Sequence, residues 1–458
     1  MVQPTLFFDA EACSVAFAGS IILYGVIVLN VFVTLEPSLR RSLAVMFVAG
    51  LCFWAGLAGL LPVLPLYIEQ FGANGQQIGW VMASFAIGLL TMRPVMARMT
   101  DERGRKPVLF IGLIAIAVAP LLYWLVPLFP EMTGKLSVGD RFWQIDSRIV
   151  LMMIFRAFHG LSIASFVTAY SALVADLAPP GQRGELIGYM SLVNPIGMAI
   201  GPALGGYLQA SAGFSQVFVL MSLLGSVGLV CAVTIAEPKR EILTARRKVA
   251  FWSLMWMPAV RVPALMLLLV GLAFGGLVTF VPLYARESNM ALNIGLIYTM
   301  SALFSFGIRL LAGRASDRYG RGPFISLGLF FYSVSMMALW LAHSEAAVLV
   351  AAALQGMGGG MLIPMVAALM ADRSTPTDRG LMFGLCLTGF DVGIALAGPV
   401  MGRIADLTSY RDIFGVAGLM TLLGLVLFTT TSSKTIRHSV KFSLQGGKDV
   451  YAVSNSTL

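Results

Sequence analysis

Four charged side chains stand inside long apolar runs of this chain: Arg93, Arg156, Arg309 and Asp391, with His159 shortly after Arg156. A charge inside a membrane-spanning helix is costly unless paired or hydrated, so each is a functional candidate by default. His159 lies about one helical turn from Arg156 on a similar face, and imidazole titrates where a proton carrier must. A helical histidine also serves as a hydrogen-bonding packing residue, and the sequence leaves both roles open. Asp391 is flanked on either side by long uncharged stretches. It can bind a proton or a cationic group, or it can pair with an intramembrane arginine such as Arg156 or Arg309.

Those residues need helices to hold them. Hydrophobic residues make up 58% of the 458-residue chain and charged ones 12%, against about 25% charged in soluble domains; mean hydropathy is +0.85. The apolar residues fall in runs of about 20, enough to cross a hydrocarbon core about 30 Å thick. Lipid cannot satisfy free backbone groups, so such runs are helices or strands of a closed barrel. Barrel strands alternate apolar and polar residues; these runs are apolar throughout, which predicts an all-α integral membrane protein. Helices are predicted at residues 43–68, 78–98, 107–128, 149–174, 185–209 and 216–236. Six more are predicted at 262–285, 294–313, 323–343, 347–371, 381–404 and 412–431.

This organisation gives an N-terminal segment (1–42), two six-helix bundles (43–236 and 262–432), a basic linker (237–261) and a polar tail (433–458) with no role assigned. Residues 13–33 form a further apolar run without a preceding basic segment. The run reads as an extra N-terminal transmembrane helix rather than a cleaved signal. Trp252, Trp256 and Met257 make the linker a candidate interfacial stretch. Of the 31 Lys and Arg, Lys135, Arg141, Arg148, Arg286, Arg403 and Arg411 fall on one side of the predicted bilayer. Arg93, Arg156 and Arg309 fall inside it, and all others crowd the opposite side, which is therefore cytoplasmic. The same bias explains the net charge of +9 without a nucleic-acid partner. Cys13, Cys52, Cys231 and Cys386 have no metal-binding spacing. No GxxxxGK[ST] or HExxH occurs, so neither an ATP-driven pump nor an enzyme is expected, and no cofactor or metal.

The chain repeats itself. Arg93, Asp101, Gly104 and Arg105 recur at one constant offset as Arg309, Asp317, Gly320 and Arg321. Gly160, Asp176, Pro180, Arg183, Gly184, Gly188 and Gly197 recur at a second constant offset as Gly356, Asp372, Pro376, Arg379, Gly380, Gly384 and Gly393. Parallel duplication of a six-helix unit is a transporter architecture with the substrate site between the halves.

At these residues the chain, over about 43–432, resembles the major facilitator superfamily, and within it the twelve-helix drug:proton antiporters and sugar-efflux transporters. The superfamily's G-x-x-x-D-R-x-G-R-[RK] loop stands here as Ala97 to Lys106, with Ala97 for Gly and Glu102 for Arg; the second copy, Gly313 to Arg321, fits better. Such a short loop needs a glycine turn, and its aspartate can sit at the positive N-terminus of a facing helix. The resemblance implies a conformational latch made of Arg93, Asp101, Gly104, Arg105, Arg309, Gly313, Asp317, Gly320 and Arg321. In it Asp101 caps helix 11 near Arg379–Gly380 and Asp317 caps helix 5 near Arg183–Gly184, holding an outward-open state. Arg156 to Gly160 resembles the antiporters' R-x-x-Q-G, with His159 for Gln, which implies proton coupling by Arg156, His159 and Asp391. Gly197, Gly201, Pro202, Gly205 and Gly206 match the exporters' gxxxGPxxGG. Gly56 to Pro65 resembles another antiporter motif, although helix 1 lacks the acid that many multidrug antiporters carry before the position of Glu69.

The expected function is proton-coupled export of a small amphiphilic molecule (drug, metabolite or metallophore) across the plasma (inner) membrane, by a monomer that works by alternating access. Asn194, Phe274, Tyr298, Gln355 and Phe390 are candidate cavity residues, although aromatic side chains also simply pack helices. Import of a sugar-like or nucleoside-like solute is the alternative, with a non-transporting assembly factor behind it.

Overall fold

The computed structural model describes residues 35–138, 141–179, 183–235, 255–288, 290, 292–374, 379–446 and 449–453. The predicted helix at 13–33 and most of the linker lie outside them. Among the described residues, twelve helices are long and apolar enough to cross a membrane. In chain order these are α1 (Pro37–Glu69), α2 (Gly75–Arg103), α3 (Arg105–Leu128), α4 (Ser147–Leu177), α5 (Leu186–Ala212) and α6 (Phe214–Val233). The second set is α7 (Pro258–Glu287), α8 (Ile294–Tyr319), α9 (Arg321–Leu341), α10 (Glu345–Asp372), α11 (Arg379–Leu407) and α12 (Asp412–Thr431). All twelve helices expected for the two bundles are present. α7 starts inside the predicted linker because Pro258 supplies a favourable first-turn residue.

Local chemistry sets the joints. α1 breaks between Gly59 and Leu64, where Pro62 and Pro65 lack the N–H groups a continuous helix needs. Asn74 and Gln77 form a capping box at the start of α2, and Asn293 and Ser344 cap α8 and α10. On the basic face α2 passes directly into α3 at Gly104 (φ +99°), and α8 into α9 at Gly320 (φ +86°). This left-handed backbone excludes most side chains, which explains why both repeats keep glycine there. Between α3 and α4 an antiparallel hairpin, β1 (Thr133–Val138) with β2 (Arg141–Asp146), replaces the expected loop.

The halves repeat in three dimensions. In the first, α4 packs on α2 and α3, α5 on α1, and α6 on α1 and α3; in the second, α10 packs on α8 and α9, α11 on α7, and α12 on α7 and α9. The halves meet where α2 lies on α11 and α5 on α8. On the face opposite the basic one, the ends of α1–α4 and α6 (Leu60, Tyr67, Ile78, Tyr123, Ile149, Phe218) share one continuous apolar core with the second half. Towards the basic face the first half keeps a separate core around Leu43, Phe53, Leu109, Phe166 and Leu173. The molecule is therefore sealed on the non-basic face and parted on the basic one.

The polar tail carries structure that the composition does not announce. Residues Ile436–Gln445 form an amphipathic helix, α13, whose Ser443 carbonyl accepts a hydrogen bond from Ser326 on α9 (2.9 Å) and whose Phe442 packs on Phe428 of α12. Beyond it, Asp449 takes two hydrogen bonds from Arg373 at the end of α10 (2.6 and 3.1 Å). Arg373 also donates to the carbonyls of Ala259 (2.7 Å) and Ser432 (3.2 Å), and its side chain is fully buried. Removing one partner of a buried pair costs about 3–5 kcal/mol. Arg373→Ala should therefore lower the stability of the purified protein by about 3 kcal/mol and expose the tail to limited proteolysis. An unchanged melting temperature and cleavage pattern would contradict this.

Candidate functional site

The central charged contact is an ion pair between Arg93 on α2 and Asp391 on α11, which joins the two halves. Asp391 sits near the middle of α11, several turns from its non-basic end, and is buried. The sequence left open whether Asp391 binds a proton or cation or pairs with an intramembrane arginine such as Arg156 or Arg309; the arginine beside it in the structure is Arg93, because α2 lies against α11. Phe390 precedes Asp391 on α11, and its ring centroid lies 5.6 Å from that of Phe274 on α7.

A second polar cluster lies wholly within the first half. Arg156 on α4 is buried, and its guanidinium stands 4.5 Å from the ring centre of Phe85 on α2. It lies 3.2 Å from His159 Nδ1, which is also 3.1 Å from the Tyr123 hydroxyl on α3. Among the described residues, Arg156 Nε and His159 Nε2 have no hydrogen-bond partner. The Arg156 guanidinium is thus held by a π-face and neutral groups, with no ion pair among the described residues. In the second half the repeat puts Ser301 where Phe85 stands and Gln355 where His159 stands. There Gln355 pairs with Ser301 and donates to Tyr332 (3.2 Å). Both halves keep the same backbone approach: Gly160 lies against the Phe85 carbonyl and Gly356 against that of Ser301. Gln355 therefore belongs to a packing cluster inside the second half. His159→Gln should preserve the fold and keep transport to within about threefold, because an amide at that place already serves the second half. Such a change is smaller than the about 1.4 kcal/mol that a tenfold effect represents. Loss of proton-driven transport in that variant would make His159 the proton carrier.

The duplicated loop makes the same staple in each half. Arg105 donates to Asp176 (3.1 Å), Asp101 (3.2 Å) and the Thr100 carbonyl (2.6 Å). Arg321 pairs with Asp317, lies 3.3 Å from Asp372 and donates to Ser316 (2.7 Å). Asp101 and Asp317, expected to cap helix 11 near Arg379–Gly380 and helix 5 near Arg183–Gly184, pair here with Arg105 and Arg321 of their own halves.

The glycine-proline run of α5 faces two helices. Gly197 and Gly201 meet Trp54, Ala55 and Ala58 on α1, and Gly205 meets Gly59. Gly206 abuts Gly295 on α8, and the Pro202 carbonyl also lies against Gly295, so the run contributes to the cross-half seal. Thr299 on α8 donates to the Ala199 carbonyl (2.9 Å) beside it. The α2–α11 contact is equally tight: Gly79 and Gly398 approach backbone to backbone. Two polar contacts that the sequence did not single out complete the seal. Asp406 at the end of α11 accepts from the amides of Gly75 (2.9 Å) and Gln76 (3.1 Å) at the positive start of α2, and Glu69 pairs with Arg286 (2.5 Å). No spacing rule flags them, since both acids sit at helix ends where charge is ordinary. Towards the basic face the same helices part: Gly188, Gly313 and Gly384 have no described atom within 4 Å of an added Cβ. Tyr298 donates to the Val278 carbonyl (3.0 Å) and so ties α8 to α7. Asn194 is partly buried on α5.

Two parallel six-helix bundles meeting along α2–α11 and α5–α8, with an ion pair between them, are an architecture of secondary transporters. The chain matches the Major Facilitator Superfamily over residues 46–314 and again over 290–447, and it belongs to that family. It is 22% identical over 404 residues to the quinolone resistance protein NorA of Staphylococcus aureus, covering 85% of this chain and 96% of that protein. It is 26% identical over 422 residues to the multidrug resistance protein MdtG of Salmonella paratyphi C, covering 86% and 95%. Among solved structures it is similar to a bacterial homologue of the human lysosomal transporter Spinster in an inward-facing conformation (TM-score 0.66, 13% identity, 92% of this chain and all of that one). The protein is thus a multi-pass secondary transporter of small molecules, not an enzyme.

Proposed function

We propose that the protein exports a small amphiphilic molecule from the cytoplasm across the plasma (inner) membrane in exchange for protons, as a monomer working by alternating access. The observation that carries this reading is the Arg93–Asp391 pair, a buried acid and a base on opposite halves. Protonating Asp391 removes its charge and with it the attraction that holds α2 to α11 at mid-membrane. A proton then favours the state in which these helices separate. Arg156, with His159 and Tyr123, supplies a fixed positive charge in the same half as Arg93. The similarity to NorA and MdtG and the α5 glycine-proline run favour export over import. With the basic face in the cytoplasm, the conformation here is inward-open, and the duplicated loop would latch the opposite state.

The test uses everted membrane vesicles energised to an acidic lumen and a pH-sensitive dye, with a panel of amphiphilic drugs, sugars and metal chelators. Dye recovery on adding a compound, absent in Arg156→Ala, is the expected result. No recovery with any compound, despite confirmed insertion, would favour a non-transporting scaffold or the import reading, because a proton symporter offered solute only on the cytoplasmic side lets no protons out of the lumen.

A further inference from the structure

Arg309 is the charge that the pairing just described leaves over. Away from the helix ends, the described spans hold Arg93, Arg156, Arg309 and Asp391. Asp391 is taken by Arg93, and Arg156 is held by Phe85, His159 and Tyr123. Arg309 makes no ion pair with any described residue, and its buried Nε has no hydrogen-bond partner among them. The repeat shows what is missing. Arg309 is the counterpart of Arg93, and the counterpart of Asp391 in the first half is Pro195. One arginine is met by a carboxylate from the facing helix; at the corresponding repeat position on the helix that faces the other, the sequence has proline.

The location of Arg309 suits a ligand. It lies several helical turns beyond Thr299, where α8 is sealed to α5. It comes about one turn before Gly313, where α8 stands clear of described neighbours. It therefore sits in the part of the α5–α8 boundary that opens towards the basic face. Along α8 it follows Tyr298 by close to a whole number of turns and so shares that residue's inward stripe. A guanidinium presents a planar fork of donors that matches a carboxylate in bidentate geometry. In a low-dielectric cleft its unpaired charge favours an anion strongly over a neutral isostere.

We infer that Arg309 binds the anionic group of the transported molecule and that the substrates are amphiphilic carboxylates. This rests on the reading of the chain as a transporter but not on proton coupling or on the direction of transport. The carboxylate completes at Arg309 the pair that Asp391 completes at Arg93. The apolar body of the ligand then lies against aromatic side chains of the second half, the neighbouring rings of Phe274 and Phe390 included.

The test is binding to the purified full chain in lipid nanodiscs by titration calorimetry, with one ring skeleton carrying three head groups: 2-naphthoate, 2-naphthamide and 2-naphthylmethylammonium. Wild type is expected to bind the carboxylate at least about tenfold more tightly than the amide, and the ammonium most weakly. Arg309→Gln should abolish the preference, and Arg309→Lys should keep part of it. Pro195→Asp, which supplies the symmetry-related acid, should suppress carboxylate binding while leaving the protein folded. A wild-type protein that binds the amide or the ammonium as well as the carboxylate would overturn the inference even if no variant folds. So would a preference that survives Arg309→Gln. The vesicle dye assay separates this from the coupling proposal. Carboxylate binding without proton movement leaves the Arg309 site standing and removes the coupling. Proton movement driven by amines and not by carboxylates does the reverse.

Discussion

Asp391→Asn should abolish proton-driven transport while leaving the protein in the membrane. The substitution removes both the titrating group and the charge that Arg93 faces. Breaking a buried pair costs about 3–5 kcal/mol. The Arg93 side chain is 35% exposed, so solvent reduces that to about 2 kcal/mol. Even the smaller value shifts a two-state conformational equilibrium by about 30-fold, which is enough to leave one state nearly empty. The double variant Arg93→Met with Asp391→Leu separates the two contributions. Replacing both charges with apolar groups of similar size restores stability, yet no protonatable group remains and transport should stay absent. Dye recovery and thermal unfolding, measured on both variants, check this. Proton-driven transport at the wild-type rate in Asp391→Asn would place the coupling elsewhere, with the Arg156 cluster the next candidate.

Gly79→Leu should block transport almost completely by a different route. The Gly79 Cα faces Gly398, and an added Cβ would lie 3.0 Å from the Gly398 Cα and closer still to its carbonyl. Overpacking of this kind costs about 1–3 kcal/mol and falls only on the sealed state. The variant should therefore rest with its non-basic face open. In a cysteine-free background, a cysteine placed at Phe274 should then react with an impermeant maleimide from that face; in the parent it should be protected. Gly384→Leu is the control for the resting state: Gly384, on the same helix as Gly398, has no described atom within 4 Å, so this variant should leave the cysteine at Phe274 protected. Wild-type transport by Gly79→Leu, or equal labelling of the two proteins, would show that the α2–α11 glycine contact is not the seal.

Helix positions were legible from composition because lipid leaves the backbone one cheap solution, and a run of about 20 apolar residues satisfies it. The duplication was legible too, because Arg93 to Arg105 and Arg309 to Arg321 keep their spacing. Gly104 and Gly320 could be assigned to turns because a positive φ needs glycine. The partners were less accessible. Asp391 reaches Arg93 across 298 residues, and nothing in either neighbourhood distinguishes that arginine from Arg156 or Arg309. Gln355 looked like a cavity residue but binds Ser301 and Tyr332 inside its own half. Tyr123 and Phe85, which hold the Arg156 cluster, are aromatic residues in apolar helices like many others. The tail was least legible: α13 is short and polar on one face, so no membrane signal marks it, and its docking depends on Arg373 meeting Asp449 76 residues away.

Composition, short spacings and charge counts were enough to establish a chain with twelve bilayer-crossing helices, and they lead to the expectation of two like six-helix units with the basic face in the cytoplasm. They also picked out the few charges that lie in the membrane. Each of these properties is local, and acts without reference to distant residues. Which charges meet was settled by tertiary packing alone, as were the face that is closed and the arginine left without an acid. Those outcomes depend on how α2 is laid on α11 and α5 on α8, and contacts between helices far apart in the chain leave no pattern in either helix alone.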